Sequence, residues 1–257
     1  MRWKCTVAYD GTDFEGWQAQ PGGNTIQDHI ERRLAQLFKG PVRIHGSGRT
    51  DSGVHARSQV FHFDGDWPHG VEALLMALRT GYPDCIQVSH AEPVDDAFHA
   101  RYSASGKHYS YTWYEGWAPP FLTRTVNSLG NRRLDCTAMR AAAAVLIGRH
   151  DFSAFSANPR DDREDNPVKD LRRLDISSDG KLVRLDAVAD GFLYRMVRSL
   201  AGCLEDVGCG KLDAAAVAAI LASKVRTNRV QTAPARGLCL EEVYYDGGIN
   251  IGHPPIQ

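Results

Sequence analysis

Along this chain the hydrophobic period switches repeatedly between two residues and 3.6, and that alternation leaves few architectures open. Residues 2–9 alternate and carry β-branched and aromatic types, which makes a strand. Ile26, Ile30, Leu34, Leu37 and Phe38 recur at helical spacing. Thr25-Ile26-Gln27-Asp28 starts that helix as a capping-box variant, with Asp in place of the usual Glu. Lys39-Gly40 should end it, with the glycine in the left-handed cap. A short strand at 42–45 precedes a segment, 46–53, with glycine at 46, 48 and 53, which reads as a loop. Strand 59–63, a helix marked by Val71, Leu74, Leu75 and Leu78, strand 86–90 and an aromatic-rich strand at 108–114 follow. Beyond them, Asp135 caps an Ala-rich helix carrying Met139, Val145 and Leu146. Strands at 170–176 and 182–188, helices at 192–204 and 213–221, and a strand at 238–245 complete the order. This predicts an α+β protein of two similar α/β halves, 1–118 and 119–246, joined near 117–124, with a tail at 247–257. No residue-level repeat accompanies the element order. Residues 158–166 hold no large apolar side chain and should form a solvated, mobile loop, and the tail should be partly disordered.

At 257 residues, 43% hydrophobic and 24% charged, the chain can bury a sizeable core without staples. Six scattered cysteines form no Cys-x-x-Cys pair and none stands at finger spacing from a histidine, so no metal site is expected. The first residues lack the apolar region of a signal peptide, and no run of about 18 apolar residues occurs, so a cytoplasmic protein that does not enter the membrane is expected. The net charge of −1 is unlike that of most nucleic-acid binders. If the chain binds RNA, its positive charge must be gathered on one face, leaving an acidic back face that includes 161–165.

The stretch with the most chemical content is Gly46-Ser47-Gly48-Arg49-Thr50-Asp51-Ser52-Gly53-Val54-His55-Ala56. Its glycines let backbone approach a ligand closely. One carboxylate, Asp51, stands two residues after an arginine, and a neighbouring guanidinium favours the charged form of a carboxylate. That suits a nucleophile or a base. It also suits an ordinary Asx-turn beside glycine. A phosphate cradle would need the P-loop lysine, which is missing.

Gly48-Arg49-Thr50-Asp51-Ser52-Gly53-Val54-His55-Ala56 resembles the signature of the tRNA pseudouridine synthase A family, Gly-Arg-Thr-Asp-Ala-Gly-Val-His-Ala, and departs from it only at Ser52. Further blocks are similar in the same order. They are Tyr9-Asp10-Gly11-Thr12-Asp13-Phe14-Glu15-Gly16-Trp17-Gln18, Thr25-Ile26-Gln27, Phe98-His99-Ala100-Arg101-Tyr102-Ser103-Ala104 with Lys107-His108-Tyr109-Ser110-Tyr111, and Gly148-Arg149-His150-Asp151-Phe152-Ser153-Ala154-Phe155. Phe192 with Met196-Val197-Arg198 and Gly202, and Gly237-Leu238-Cys239-Leu240 with Val243 and Tyr245, close the set.

The resemblance implies a mixed, mostly antiparallel central sheet flanked by helices, with an RNA-binding cleft between the halves. It implies isomerisation of uridine to pseudouridine at positions 38, 39 and 40 of the tRNA anticodon stem–loop by a homodimer, with no cofactor and no metal. Asp51 matches the essential aspartate. It would add to C6 of the base, attack C1′, or remove the C2′ proton; the sequence leaves these open. Tyr109 matches a tyrosine that stacks on the target base and helps remove the C5 proton, whereas Tyr111, on the same strand face, suits packing. Arg198 matches an arginine that pairs with the aspartate. Arg49 resembles a residue that enters the RNA stack in place of the flipped uridine. Leu238 matches an apolar contact to the base, and is equally compatible with a strand core. Arg101, Lys107, Arg149 and Arg195 are candidates for phosphate contacts, each also compatible with a solvated surface charge. His108 stands where arginine or threonine is usual, weakening one expected phosphate contact. Two other functions remain on sequence grounds: a non-catalytic RNA-binding or tRNA-chaperone module of the same fold, and a small-molecule hydrolase built on Asp51, for which His55 is the near partner.

Overall fold

The computed structural model describes residues 1–157 and 166–245. All but Asn166 of the loop expected at 158–166, the acidic run 161–165 and the tail at 247–257 lie outside them. The first half runs β1 (Arg2–Tyr9), α1 (Ile26–Phe38), β2 (His45–Gly46), β3 (His55–Asp64), α2 (Gly70–Leu78), β4 (Ile86–Val94) and β5 (Gly106–Tyr114). The second runs β6 (Asn127–Ser128), α3 (Cys136–Ala144), β7 (Gly148–Asp151), β8 (Val168–Asp179), β9 (Leu182–Ala189), α4 (Met196–Gly208), α5 (Ala214–Ser223) and β10 (Leu238–Tyr244).

Local chemistry accounts for most element ends. The Thr25 hydroxyl accepts from the Asp28 N–H at 3.1 Å, and the Asp28 carboxylate accepts from the Thr25 N–H at 3.2 Å. Such a reciprocal cap contributes about 1 kcal/mol. At the other end of α1 the left-handed residue is Lys39, at φ 54°, and not Gly40 as the sequence suggests. Asp135 accepts from the N–H groups of Thr137 and Ala138, which starts α3 as expected, but α3 stops at Ala144, before Val145 and Leu146. The strand expected at 42–45 shrinks to the two residues of β2. Helix α4 begins four residues later than its periodicity suggests, because Arg195 takes a left-handed conformation, φ 57°, at the N-cap.

The strands form one sheet in the order β4-β1-β3-β10-β5-β9-β8-β7, with β2 on β3 and β6 on β5. Pairing is antiparallel except β10 with β3 and β5 with β6. The expected α+β architecture, a mixed and mostly antiparallel sheet with flanking helices, is found. The halves are nevertheless interleaved: β10, from the second, sits between β3 and β5 of the first. One face of β1 buries Trp3, Cys5, Val7 and Tyr9, the alternation that marked it as a strand. Fully buried Trp17, Phe61, Phe63, Tyr111 and Trp113 extend the core across the sheet. Each contributes roughly 1.5–3 kcal/mol from apolar burial. No helix among the described residues is long and apolar enough to cross a membrane.

Candidate active site

Asp51 lies on the loop between β2 and β3, and that loop is held from several directions. Trp17 donates its N–H to the Thr50 carbonyl at 3.0 Å, and the Tyr9 and Thr50 hydroxyls share a hydrogen bond of 2.8 Å. The Ser47 hydroxyl donates to the Gln59 side chain at 2.6 Å, while the Gln59 amide donates to the Gly48 carbonyl at 3.1 Å. Two glycines of the Tyr9–Gln18 block explain why that block accompanies the aspartate loop. A Cβ on Gly11 would stand 1.9 Å from the Val54 carbonyl oxygen. A Cβ on Gly16, at φ +90°, would stand 2.6 Å from that of Thr50. No side chain fits at either place.

The Asp51 carboxylate accepts a hydrogen bond of 2.7 Å from Arg198 Nη1, on a residue 147 positions further along the chain. Arg198 is itself held, donating from Nε to the Ala233 carbonyl at 2.8 Å. A second guanidinium approaches the same oxygen: Arg195 Nε stands 3.6 Å away, with the group packed 4.9 Å from the centre of the Tyr194 ring. The cations beside Asp51 thus come from α4 and its cap, not from Arg49, whose Nε donates to Gln18 at 3.2 Å. The carboxylate is partly exposed, with 20% of its side-chain surface open to the cleft. Paired and still reachable, it has the geometry of a charged nucleophile or base.

Tyr109 stands on β5, 8% exposed, with Phe192 edge-on at 5.3 Å. Burial, then the neighbouring Tyr9 and Asp51, push its pKa up, so the phenol keeps its proton at neutral pH. Tyr111 is fully buried and donates its hydroxyl to the Pro234 carbonyl at 3.0 Å, a packing role. Leu238 opens β10 opposite Tyr111 and faces the same cleft. The cleft has a volume of about 810 Å³. Trp17, Tyr109, Phe192 and Leu238 provide apolar wall, and among the described residues the lining carries seven cations, Arg43, Arg49, Arg101, Lys107, Lys169, Arg195 and Arg198, against the carboxylates Glu15, Asp51 and Asp190, with Arg43 also paired to Glu31 at 2.9 Å. Among the described residues, cations therefore outnumber carboxylates along this cleft, the arrangement that RNA binding by a chain of net charge −1 would require.

Of the candidate phosphate contacts, Arg101 and Arg195 line the cleft, while Arg149, exposed on β7, is not part of its lining. Lys107 lines it too, but its ammonium donates to the Ser47 carbonyl at 2.8 Å and so also holds the loop that bears Asp51. His108 points the other way. It is buried on the opposite sheet face, 2.7 Å from Asp186, and makes no phosphate contact available. On that face Arg184 bridges Asp186 and Glu241, so the described back face is charge-paired rather than acidic. Arg43 and Lys169 have no motif around them and give no sequence signal. Their membership of the cleft comes only from the fold. His55 is buried; its Nδ1 accepts from the Gly11 N–H, and its Nε2 donates to the carbonyls of Arg124 and Arg236. It ties three loops together and has no contact with Asp51. Among the described residues, no three His, Cys, Asp or Glu side chains are grouped to hold a metal ion.

Residues 6–103 and 142–246 match the family described as tRNA pseudouridine synthase. The chain belongs to the tRNA pseudouridine synthase family. Its relatives include the tRNA pseudouridine synthase A of Bacillus subtilis, 43% identical over 255 residues, covering 96% of this chain and 100% of the relative. The enzyme of the same name from Chromobacterium violaceum is 43% identical over 253 residues, covering 95% and 93%. That from Alcanivorax borkumensis is 40% identical over 240 residues, covering 93% and 89%. Among tRNA pseudouridine synthases, then, this chain presents Asp51, Arg198, Tyr109 and Leu238 around one cleft.

Proposed function

We propose that this chain isomerises uridine to pseudouridine at positions 38, 39 and 40 of the tRNA anticodon stem–loop, as a cytoplasmic homodimer that needs no cofactor. The observation that carries the proposal is the ionic pair of Asp51 and Arg198 at the wall of a cation-rich cleft that Tyr109 and Leu238 also line. Residues 1–118 provide Asp51 and Tyr109, and 119–246 provide Arg198, Arg195 and Leu238, so the site needs both halves.

In this mechanism the uridine leaves the RNA stack and enters the cleft, and Arg49 fills the space it vacates. Leu238 and Tyr109 hold the base between apolar surfaces. Asp51, oriented by its hydrogen bond from Arg198, acts on C6, C1′ or the C2′ proton and so allows the N1–C1′ bond to break. The base turns, C5 bonds to C1′, N1 takes up a proton and the C5 proton leaves, so that atoms balance in an isomerisation. A protonated Tyr109 cannot take that proton unless it gives up its own, and Asp51 is the carboxylate whose charge it feels. Tyr109 therefore acts as a stacking surface and at most as a relay toward Asp51.

A purely RNA-binding module would have no use for a carboxylate in a cationic cleft, where it repels phosphate. A hydrolase would need a partner for Asp51, and His55 is committed to three loops. The test is incubation of the purified chain with unmodified tRNA and no additive, followed by pseudouridine mapping. Product at 38–40 is expected. No product on any tRNA would reject the enzyme, and product elsewhere would reject the site assignment.

A further inference from the structure

At the rim of the cleft, Tyr102 is 77% exposed and turns an aromatic ring to the solvent beside the site. One face of the ring is already taken. It lies against His99, with centroids 4.3 Å apart and planes 36° from parallel. His99 packs edge-on to buried His62 at 4.7 Å, and His62 stacks on His45 at 5.0 Å. Four rings thus form a continuous row from His45 on β2, through buried His62 on β3, to His99 and the exposed Tyr102. His45, His99, Arg101 and Tyr102 all line the same cleft as Asp51.

The outer end of the row is preorganised. The N–H groups of Arg101 and Tyr102 donate to His99 Nδ1, at 3.1 and 3.4 Å. The Ser103 hydroxyl accepts from the His99 N–H at 3.0 Å, and the Ser103 N–H donates back to the His99 carbonyl at 2.9 Å. Deeper in, His62 Nδ1 accepts from the Ala100 N–H at 3.1 Å. Both bonded histidines therefore present a bare nitrogen inward and are neutral. Burial lowers His62 to about 4 and lowers His99, with the neighbouring histidines adding to both. Neutral His62 and His99 tolerate the Arg101 guanidinium, 5.9 Å from the Tyr102 ring centre, and Arg43 on the same wall. A flat ring with one supported face, one open face and cations beside it matches a base attached to its phosphates.

We infer that Tyr102, backed by His99 and flanked by Arg101, is a stacking platform for an unpaired nucleobase of the RNA whose target uridine enters the cleft. The inference rests on the tRNA substrate proposed above. By fixing a second base, the platform sets which loop nucleotide reaches Asp51, and so contributes to site choice as well as affinity.

The test uses the full chain, an unmodified tRNA transcript and an anticodon stem–loop carrying 2-aminopurine at successive loop positions. Tyr102→Ala should raise KM by about 5- to 100-fold, with the loss in KM rather than in kcat. Tyr102→Phe and Tyr102→Trp should restore it. The alanine variant should keep the salt slope of binding, since no charge is lost, whereas Arg101→Gln should reduce that slope by about 1. At one loop position, 2-aminopurine fluorescence should be quenched by the parent protein and not by Tyr102→Ala. An unchanged KM in the alanine variant, a phenylalanine variant as poor as the alanine one, or no loop position distinguishing the two proteins would each overturn the platform, while pseudouridine formation by the parent would still stand. Absence of pseudouridine from every tRNA would instead overturn the proposed activity.

Discussion

Asp51 and Arg198 illustrate how much a residue's neighbours in sequence can mislead about its neighbours in space. Locally Asp51 has the surroundings of a turn aspartate, with an arginine two positions away that turns out to bond Gln18. Its working partner lies on α4. Asp51→Asn keeps the shape and removes the charge, so product should disappear while tRNA affinity, measured by filter binding, stays within a few-fold. Turnover near that of the parent would move the reacting group elsewhere. Arg198→Ala removes a charge-assisted hydrogen bond of about 1.5–3 kcal/mol, which corresponds to a 10- to 100-fold lower kcat. Addition of guanidinium to that variant should recover part of the rate; an unchanged kcat without it would show that Asp51 needs no such support.

At the scale of elements, the loop bearing Asp51 is shaped by a segment 30 to 40 residues before it. Gly16→Ala would force a side chain against the Thr50 carbonyl at a positive φ, costing on the order of 1–3 kcal/mol. Urea unfolding should register that loss, and kcat should fall with it; full activity would mean the loop does not depend on this contact. Strand β3 carries a second sensitivity. His62 titrates near 6.5 in the unfolded chain but at about 4 when folded, with burial, His99, His45 and Arg2 opposing its charge and Asp64 favouring it. The unfolded state therefore takes up the proton first. Stability is complete above pH 6.5 and should fall by up to about 3 kcal/mol as pH drops toward 4. His62→Gln should flatten that window in urea titrations. Asp186 acts lower. Burial alone would raise it, but His108 and Arg184 hold it down to about 2, so its contribution is lost only below the ordinary carboxylate range. What could be read in advance follows the same division between local and distant. The Thr25 cap, the Asp135 cap and the β5 alternation depend on residues within a few positions and were legible. The left-handed Lys39 and Arg195, the Asp186 partner of His108 and the place of β10 depend on packing partners far away in sequence, and no local pattern encodes them.

At the scale of the whole molecule, charge among the described residues differs between the faces. The cleft holds an excess of cations, while behind the sheet arginines and carboxylates pair with one another. Affinity for tRNA should consequently fall steeply with salt, the logarithm of the binding constant changing by roughly 0.7–0.9 per phosphate neutralised for each decade of salt. Lys169→Gln and Arg43→Gln should each reduce the slope by about 1, and Arg184→Gln should leave it alone while lowering stability. A slope that ignores Lys169 and Arg43 would mean the RNA lies elsewhere. The position of β10 between β3 and β5 also has a temporal side. Synthesis runs from the N-terminus, so the other nine described strands exist before the one that joins β3 to β5. A nascent chain can hold Asp51 and Arg198 and still have no cleft wall at Leu238. The cleft wall at Leu238 is therefore completed last in synthesis, and a polypeptide that ends before β10 is expected to leave uridine unaltered.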